Sequence, residues 1–408
     1  MIDKISDNKR SKPKKHHFQS DVKLVRKKKQ RVICAMSGGV DSSVVAALLK
    51  KQGFDVIGIF MKLWAEDSDA LSSPKENVCC SLEAATAARA VAQKLDIPFY
   101  VVNFAEEFKK MVVDYYIKEY ENGRTPNPCV ICNRDIKGEI LFKKVLELEG
   151  DFLATGHYAR IMQKSPLGMH VKNQNDKSKS QNDQNEYHLY RGKDTNKDQT
   201  YFLWTLTQEK LAKILFPVGH LTKPEVRKLA LKLGLPTAQR RESQGICFIP
   251  DRNVSGFLRR HAKKLIQPGP IINITGKKIG IHEGLINYTI GQRERLNIGG
   301  SKAYYVVKLD SQKNTLVVGD DVDLFRKSLM AKDINWITDG ILQTKEKSIT
   351  ATIRYRHLSV SCHVEDISQN KLKVVFDKPQ RAITPGQSIV FYKGDELLGG
   401  GVIDEACN

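Results

Sequence analysis

The chain reads as an α/β protein: a doubly wound parallel sheet followed by a small linker domain and a C-terminal all-β barrel. Three observations predict this. Through roughly the first 250 residues, short apolar strands alternate with helical patterns of about 10–15 residues, the rhythm of βαβ units. Beyond that point the texture changes to short β runs with period-2 alternation, broken by Gly, Asp and Asn about every 8–12 residues. The length, 408 residues, exceeds one ordinary domain.

The elements follow in order. Residues 1–30 hold "KRSKPKKHH" and "RKKKQ", have little to bury, and read as a disordered basic arm. Strands are expected at 32–36, 56–61, 99–103 and 152–155, with helices at 44–51, 82–95, 108–120 and 136–148 between them. A stretch rich in Asn, Gln, Lys and Ser, 163–186, reads as a surface insertion. Helices are expected at 206–215 and 223–233, the second opened by Thr222-Lys-Pro-Glu with a cap residue and a first-turn proline. Two runs, "GPIINITGKKIGIHEGLINYTIGQ" and "AYYVVKLDSQKNTLVVGD", make the linker domain. "SITATIRYRHLSVSCHVEDI", "KLKVVFD" and "GQSIVFYKGDELLGGGVI" make the barrel. The expected division is 1–30, 31–250, 251–327 and 328–408.

Composition narrows the function. Hydrophobic residues are 41% and charged residues 27%, ordinary for a globular protein. No apolar run reaches the roughly 18 residues a bilayer span needs. The basic N-terminus lacks the apolar core of a secretory signal, and Asp3, Asp7 and Asp21 argue against an organelle transit peptide, so a cytoplasmic protein is expected. Net charge is +20, of which residues 1–30 carry +8 and the body +12. Excess charge on the body points to a polyanionic partner, most simply a nucleic acid. Eight cysteines in a chain of this length are not a secreted disulfide scaffold. Cys34 and Cys362 fall within apolar strand patterns and read as core.

The stretch "VICAMSGGVDSSVVAALLKK" places Ser37-Gly-Gly-Val-Asp-Ser-Ser where a strand hands over to a helix. Gly38 and Gly39 let successive N–H groups curl into an anion nest, and the helix adds its unpaired N–H groups and positive end. Ser37, Ser42 and Ser43 can donate hydroxyls. No lysine follows the glycines, unlike loops that move a γ-phosphoryl group. Such a site suits attack at the α-phosphate with pyrophosphate held as the leaving group, and Asp41 is the natural residue to orient Mg²⁺ or the triphosphate.

In "NGRTPNPCVICNRDIK", Pro126 and Pro128 stiffen the chain before Cys129-Val-Ile-Cys132, and a helix is expected from near Asp135. A thiol near a helix start beside Arg134 and Lys137 is expected to have thiolate character. By itself the C-x-x-C pair fits a redox pair, metal ligands or core equally. Cys79 and Cys80 open the helix 81–95. Cys247, in "RRESQGICFIP", reads either as a strand core residue or as a reactive thiol near Arg240 and Arg241.

S-G-G-x-D-S after a strand resembles the pyrophosphate loop of the ATP pyrophosphatases, the N-type adenine-nucleotide α-hydrolase-like enzymes. The wider set is similar to the tRNA-specific 2-thiouridylase family. It comprises "AMSGGVDSSV", "GIFMKLW", "VCCSLEAA", "TPNPCVICN", "TGHYAR", "KDQTYFLW", "LFPVGHLTKPEVR", "ESQGICFI", "YTIGQR" and "RYRH", in order from residue 32 to beyond 350. The resemblance implies a sulfurtransferase that adenylates the oxygen on carbon 2 of the wobble uridine of a tRNA and replaces it with persulfide sulfur. It implies Cys247 as persulfide carrier and Cys132 as its partner, ending as a disulfide. It matches Ala35, Met36, Ser37, Gly38, Gly39, Val40, Asp41, Ser42, Met61 and Gly156 to ATP. Asn127, Pro128 and Cys129 match the loop that touches the target base; Lys197, Asp198, Gln199, Arg354 and Tyr355 match tRNA contacts. The domain 31–250 is then catalytic and 328–408 contacts tRNA.

Family members act on tRNAs for Lys, Glu and Gln and draw on a cysteine desulfurase or sulfur relay protein. Some carry aspartate where this chain has Cys129. Cys129, Cys132 and Cys247 could also hold three irons of a [4Fe–4S] cluster, as in related tRNA thiolases. Two other classes compete: a small-molecule amide or argininosuccinate-type synthetase, and a silent RNA-binding module. The basic body counts against the first, and the presence of both Cys132 and Cys247 against the second.

Overall fold

A computed structural model describes residues 29–66, 81–164, 186–242, 245–262, 266–299, 302–338, 349–368 and 370–407. Most of the predicted arm (1–28), most of the predicted insertion (165–185), and Cys79 and Cys80 lie outside them.

The first layer is a five-stranded, all-parallel sheet. Its strands are β1 (Arg31–Ala35), β2 (Asp55–Lys62), β3 (Phe99–Asn103), β4 (Phe152–Ala154) and, further along, β7 (Ile214–Leu215), in the order β3-β2-β1-β4-β7. Alternation along β1 shows why both faces are covered. Val32 and Cys34 join an apolar cluster with helices Val40–Lys51, Leu82–Leu95 and Lys223–Lys232, while Ile33 enters the cluster on the opposite face. The chain builds outward from β1 to β3 and then returns to β4 on β1's other side. The order therefore reverses between β1 and β4, and ligands of open α/β sheets bind at the carboxyl ends of strands flanking such a reversal.

Two expectations need correction here. Residues 206–215 are not one helix: a short helix, Gln208–Leu211, is followed by β7, which completes the sheet edge against β4. The helix expected from near Asp135 starts earlier, at Pro128. Proline is well placed as a first helical residue, where its missing N–H costs nothing. The run then passes through a π-helical section, Cys132–Ile140, before Leu141–Glu147.

The middle unit is a four-stranded sheet of β8 (Gly269–Asn273), β9 (Lys278–His282), β10 (Tyr305–Asp310) and β11 (Thr315–Gly319), ordered β10-β11-β8-β9. The last unit is a closed antiparallel barrel of β12 (Phe325–Trp336), β13 (Thr350–Thr352), β14 (Val360–Ser368), β15 (Lys371–Arg381), β16 (Ser388–Lys393) and β17 (Glu396–Cys407). Pairing of β12 with β17 closes it, around a core that includes Leu329, Val374, Phe376, Ile389 and Phe391. A hairpin of the first domain, β5 (Ala159–Lys164) and β6 (Glu186–Arg191), extends the barrel sheet: Tyr190 pairs with Glu396 and Leu189 with Leu397. The barrel is thereby stitched to the domain that carries the sheet reversal.

Candidate active site

The loop after β1 occupies the reversal. Gly38 has φ +74°, and a Cβ there would lie 2.2 Å from the Ala84 carbonyl oxygen, so only glycine fits. Gly39 caps helix Val40–Lys51 in extended conformation and brings no side chain to its first-turn N–H groups. The Ser37 N–H donates to Ser42 Oγ at 3.2 Å, and Ser43 Oγ donates to the Gly39 carbonyl at 2.8 Å, fixing the curl. Met36 and Val40 are buried in the core, so they present only backbone to the loop. Gly156, just past β4, faces the same spot: a Cβ there would meet Ser42 N at 3.1 Å. Met61 stands near the carboxyl end of neighbouring β2.

Asp41 is not alone. Lys223 Nζ donates to both Asp41 carboxylate oxygens at 2.7 Å, and the Tyr158 hydroxyl donates to Oδ1 at 2.8 Å. Burial, then the Asp41 charge, pushes the Tyr158 hydroxyl well above its ordinary range, so it stays a donor. Lys223 also reaches Glu242 Oε1 at 3.2 Å; Glu242 takes Lys197 at 2.6 Å and Arg227 at 3.6 Å. Burial alone would raise the Glu242 carboxyl, but Lys197 and Lys223 hold it below its usual value. Arg240 donates to the carbonyls of Gly38 and Glu83 at 3.2 and 3.3 Å. Arg240 and Glu242 therefore hold residues 240–242 against the glycine loop.

Cys247 lies in a turn, not a strand: Ile249 N–H donates to the Ile246 carbonyl at 3.0 Å. The strand-core reading of this cysteine is overturned. Phe248 is the buried anchor, with ring centroids 5.9 Å from Phe108 and 5.4 Å from Tyr116, while Cys247 stays half-buried. Burial above all, then Tyr120 and then Cys129, raises the Tyr116 hydroxyl far above its usual value. Tyr116 thus packs on Phe248, the chain neighbour of Cys247, while its hydroxyl feels the Cys129 thiol.

Cys129 is exposed in the first turn of the helix begun by Pro128, and half-buried Cys132 is the first residue of the π section. π-helical turns recur at functional sites because the extra residue re-aims side chains. Cys132 and Cys247 both border one apolar cluster, as does Tyr355.

The barrel holds this helix start from outside. Arg124 donates to Glu119 at 2.8 Å, to the Asp404 carboxylate at 3.2 Å and to the Ile403 carbonyl at 2.9 Å. Gln387 donates to the Thr125 carbonyl at 2.9 Å. Asn133, next to Cys132, donates to the Phe202 carbonyl at 3.0 Å, and the Phe202 ring meets Tyr355 at 4.5 Å. Asn127 lies at the Tyr201 hydroxyl.

On the other side of Asn133, Lys137 donates to its amide oxygen at 2.8 Å and sits 3.3 Å from His157 Nε2. An ammonium can only donate, so the neutral ring's proton is on Nδ1, 2.7 Å from Thr155 Oγ1. Burial first, and Lys137 second, keep His157 neutral far below its ordinary titration range. Lys137 and Arg134, expected beside the thiols, are thus engaged elsewhere, Arg134 with Asp135 at 2.6 Å.

The other expected residues separate by exposure. Arg354 is exposed and Tyr355 half-buried, with the Arg356 guanidinium 5.3 Å from its ring. Asp198 is buried and holds the Gly192 N–H and the Thr200 hydroxyl, while Gln199 accepts from the Tyr158 N–H. These two shape the turn, and the Lys197 ammonium is held by Glu242 at 2.6 Å. Among the described residues no three Cys, His, Asp or Glu side chains converge as metal ligands. Cys129, Cys132 and Cys247 are accordingly not arranged as a cluster-binding set.

Three family models cover these units in turn: the tRNA methyl transferase HUP domain over residues 30–251, the tRNA methyl transferase PRC-barrel domain over 255–320, and the aminomethyltransferase β-barrel domain over 326–403. The tRNA-specific 2-thiouridylase MnmA of Geobacter metallireducens is 46% identical over 388 residues, 94% of this chain and 99% of that protein. Its namesake from Symbiobacterium thermophilum is 47% identical over 93% of each chain. The one from Carboxydothermus hydrogenoformans is 45% identical over 92% of this chain and 98% of its own.

The chain belongs to the tRNA-specific 2-thiouridylase family. As a 2-thiouridylase it is built around contacts that sequence reading missed. Lys223, Glu242, Tyr158 and Arg240 join the glycine loop to residues 240–242, and Arg124 binds the Cys129–Cys132 helix to the barrel. Lys223 had a visible signal, its place after the cap Thr222, but that signal spoke only of a helix start.

Proposed function

We propose that this chain is an ATP-dependent tRNA-uridine 2-sulfurtransferase that forms 2-thiouridine at the wobble position. The observation that supports the reading is that Arg240 donates to the Gly38 carbonyl and Glu242 shares Lys223 with Asp41, which sets the stretch 240–242, five residues before Cys247 in sequence, against the Ser37–Ser42 loop. The backbone of Ala35–Ser42, with Met61 and Gly156, receives ATP, whose Mg²⁺ arrives with the substrate. Asp41 is engaged by Lys223 and no carboxylate cluster stands beside it among the described residues, so the chain itself does not fit a resident Mg²⁺. The thiols do not fit a resident iron–sulfur cluster either, and persulfide exchange is the chemistry they support.

Asn127, Pro128 and Cys129 meet the flipped base; Lys197 and Arg354 hold phosphates, and Tyr355 offers a stacking face. The uridine O2 attacks the α-phosphorus and pyrophosphate leaves. The terminal sulfur of the Cys247 persulfide attacks carbon 2 and expels AMP. The Cys132 thiolate then attacks the Cys247 sulfur, releasing the 2-thio base and leaving a Cys132–Cys247 disulfide. A thiol reductant resets the pair, and a desulfurase or sulfur relay protein reloads Cys247. The acceptors are the tRNAs for Lys, Glu and Gln.

The test is an ATP-cleavage assay with and without unmodified tRNA, coupled to nucleoside mass spectrometry. Pyrophosphate release that needs tRNA, with 2-thiouridine formed, is expected. Release independent of tRNA, without the thiolated nucleoside, contradicts the reading. Among the described residues no helix is long and apolar enough to cross a membrane, and we place the enzyme in the cytoplasm.

A further inference from the structure

The glycine loop has no lysine of its own, yet an ammonium stands beside it. Lys223 begins a helix 182 residues away in sequence from Asp41 and is only 7% exposed. Asp41, in the first turn of the loop's helix, grips that ammonium through both oxygens, and the Tyr158 ring lies 5.8 Å from it. A nearly buried lysine needs a partner, and Asp41 is sufficient as one. The further contact to Glu242 is longer, 3.2 Å against 2.7 Å, and Glu242 keeps Lys197 and Arg227 without it.

We propose that Lys223 is the phosphate-binding cation of this site, donated by a distant helix. Its ammonium exchanges the Glu242 oxygen for an oxygen of the β- or γ-phosphate while Asp41 keeps it in place. It therefore neutralises charge that grows on the pyrophosphate as the bond to the α-phosphorus breaks, an interaction strongest in the transition state. Only a hydrogen-bond partner changes, and no proton or electron moves. The inference rests on the function proposed above and names a further residue for it.

The experiment uses the full chain with ATP and unmodified tRNA, and compares product inhibition by pyrophosphate and by AMP. In Lys223→Met the inhibition constant for pyrophosphate should rise roughly 10- to 100-fold, the range of one charge-assisted hydrogen bond, with that for AMP within about twofold. kcat should fall about 100-fold, and Lys223→Arg should recover part of both losses. A merely structural lysine would move the two inhibitors together. If Lys223→Met also loses AMP, Lys223→Gln, which keeps a donor for Asp41 without the charge, decides. Selective loss of pyrophosphate affinity supports the proposal; parallel loss, or pyrophosphate inhibition as strong as in the unaltered protein, overturns it. Failure of the parent enzyme to cleave ATP in a tRNA-dependent way would instead overturn the function.

Discussion

The same element, sulfur, has two fates in this molecule. Cys34 in β1 and Cys362 in β14 are sealed in apolar interiors, where burial pushes both thiols up to about 12. Cys129, Cys132 and Cys247 sit at a helix start and in a turn, exposed or half-buried. Nothing in the immediate residue neighbourhood separates the groups: "VICAM" and "GICFI" are equally apolar. What separates them is whether the backbone carries the residue across a sheet or bends it away. Strand alternation sends Cys34 inward. At Cys247 the turn buries Phe248 and Ile249 in its stead. Exposure of the thiols here follows backbone path before chemical neighbours.

The sharpest way to break this contrast is to exchange sulfur for oxygen on each side. Cys132→Ser and Cys247→Ser should each lower thiolation by at least about 1000-fold, because serine cannot carry or accept persulfide sulfur. tRNA affinity should stay within about twofold; nucleoside mass spectrometry and filter binding read the two effects. Next in size is Arg124→Ala, which removes the tie between the cysteine helix and the barrel. With its pairs only 15–28% exposed, the loss should cost about 2 kcal/mol of stability and lower kcat, read by thermal melting and turnover. Cys34→Ser should cost about 1–3 kcal/mol through burial of a hydroxyl, leaving activity per folded molecule unchanged. A loss of turnover there would erase the distinction between the groups.

A smaller effect is chemical. With a thiol pKa of about 12, roughly one in ten thousand Cys34 or Cys362 side chains is ionised at pH 8. An alkylating reagent with mass-spectrometric mapping should therefore label Cys129 and Cys247 and spare these two in the native protein. The smallest expected effect is a pH dependence. His157 is held neutral when folded, with its titration below that of the unfolded chain. The unfolded state then binds more protons as pH falls through about 6.5, so this residue makes stability decline on acidification and leaves it flat above pH 7. Replacing His157 by glutamine should flatten the acid limb of the melting curve.

What could be read in advance was local. The Ser37–Ser42 loop declares itself because strand, glycines and helix are contiguous, and β1 to β4 declare themselves by apolar runs of the right length. The cysteine helix was placed too late because Pro126 and Pro128 read as breakers, whereas Pro128 is the first helical residue. The stretch 206–215 looked helical because a two-residue edge strand leaves no period to detect. The β5–β6 hairpin carries no strand expectation of its own, since its ends merge into the polar stretch 163–186, and nothing local names β17 as partner. Lys223, Glu242 and Arg124 escaped for the same reason. Their main partners lie far away in sequence, and a lone charged residue at a helix start or in a loop reads as solvated surface until the fold turns it inward.

The central claim is that two distant thiols converge on one base. Non-reducing peptide mapping after a single turnover, with persulfide-loaded enzyme, ATP and unmodified tRNA, tests it most directly. A disulfide joining the Cys132 and Cys247 peptides, formed in proportion to 2-thiouridine, is the predicted result. Stoichiometric 2-thiouridine with Cys247 joined to another cysteine, or with no disulfide at all, would contradict it.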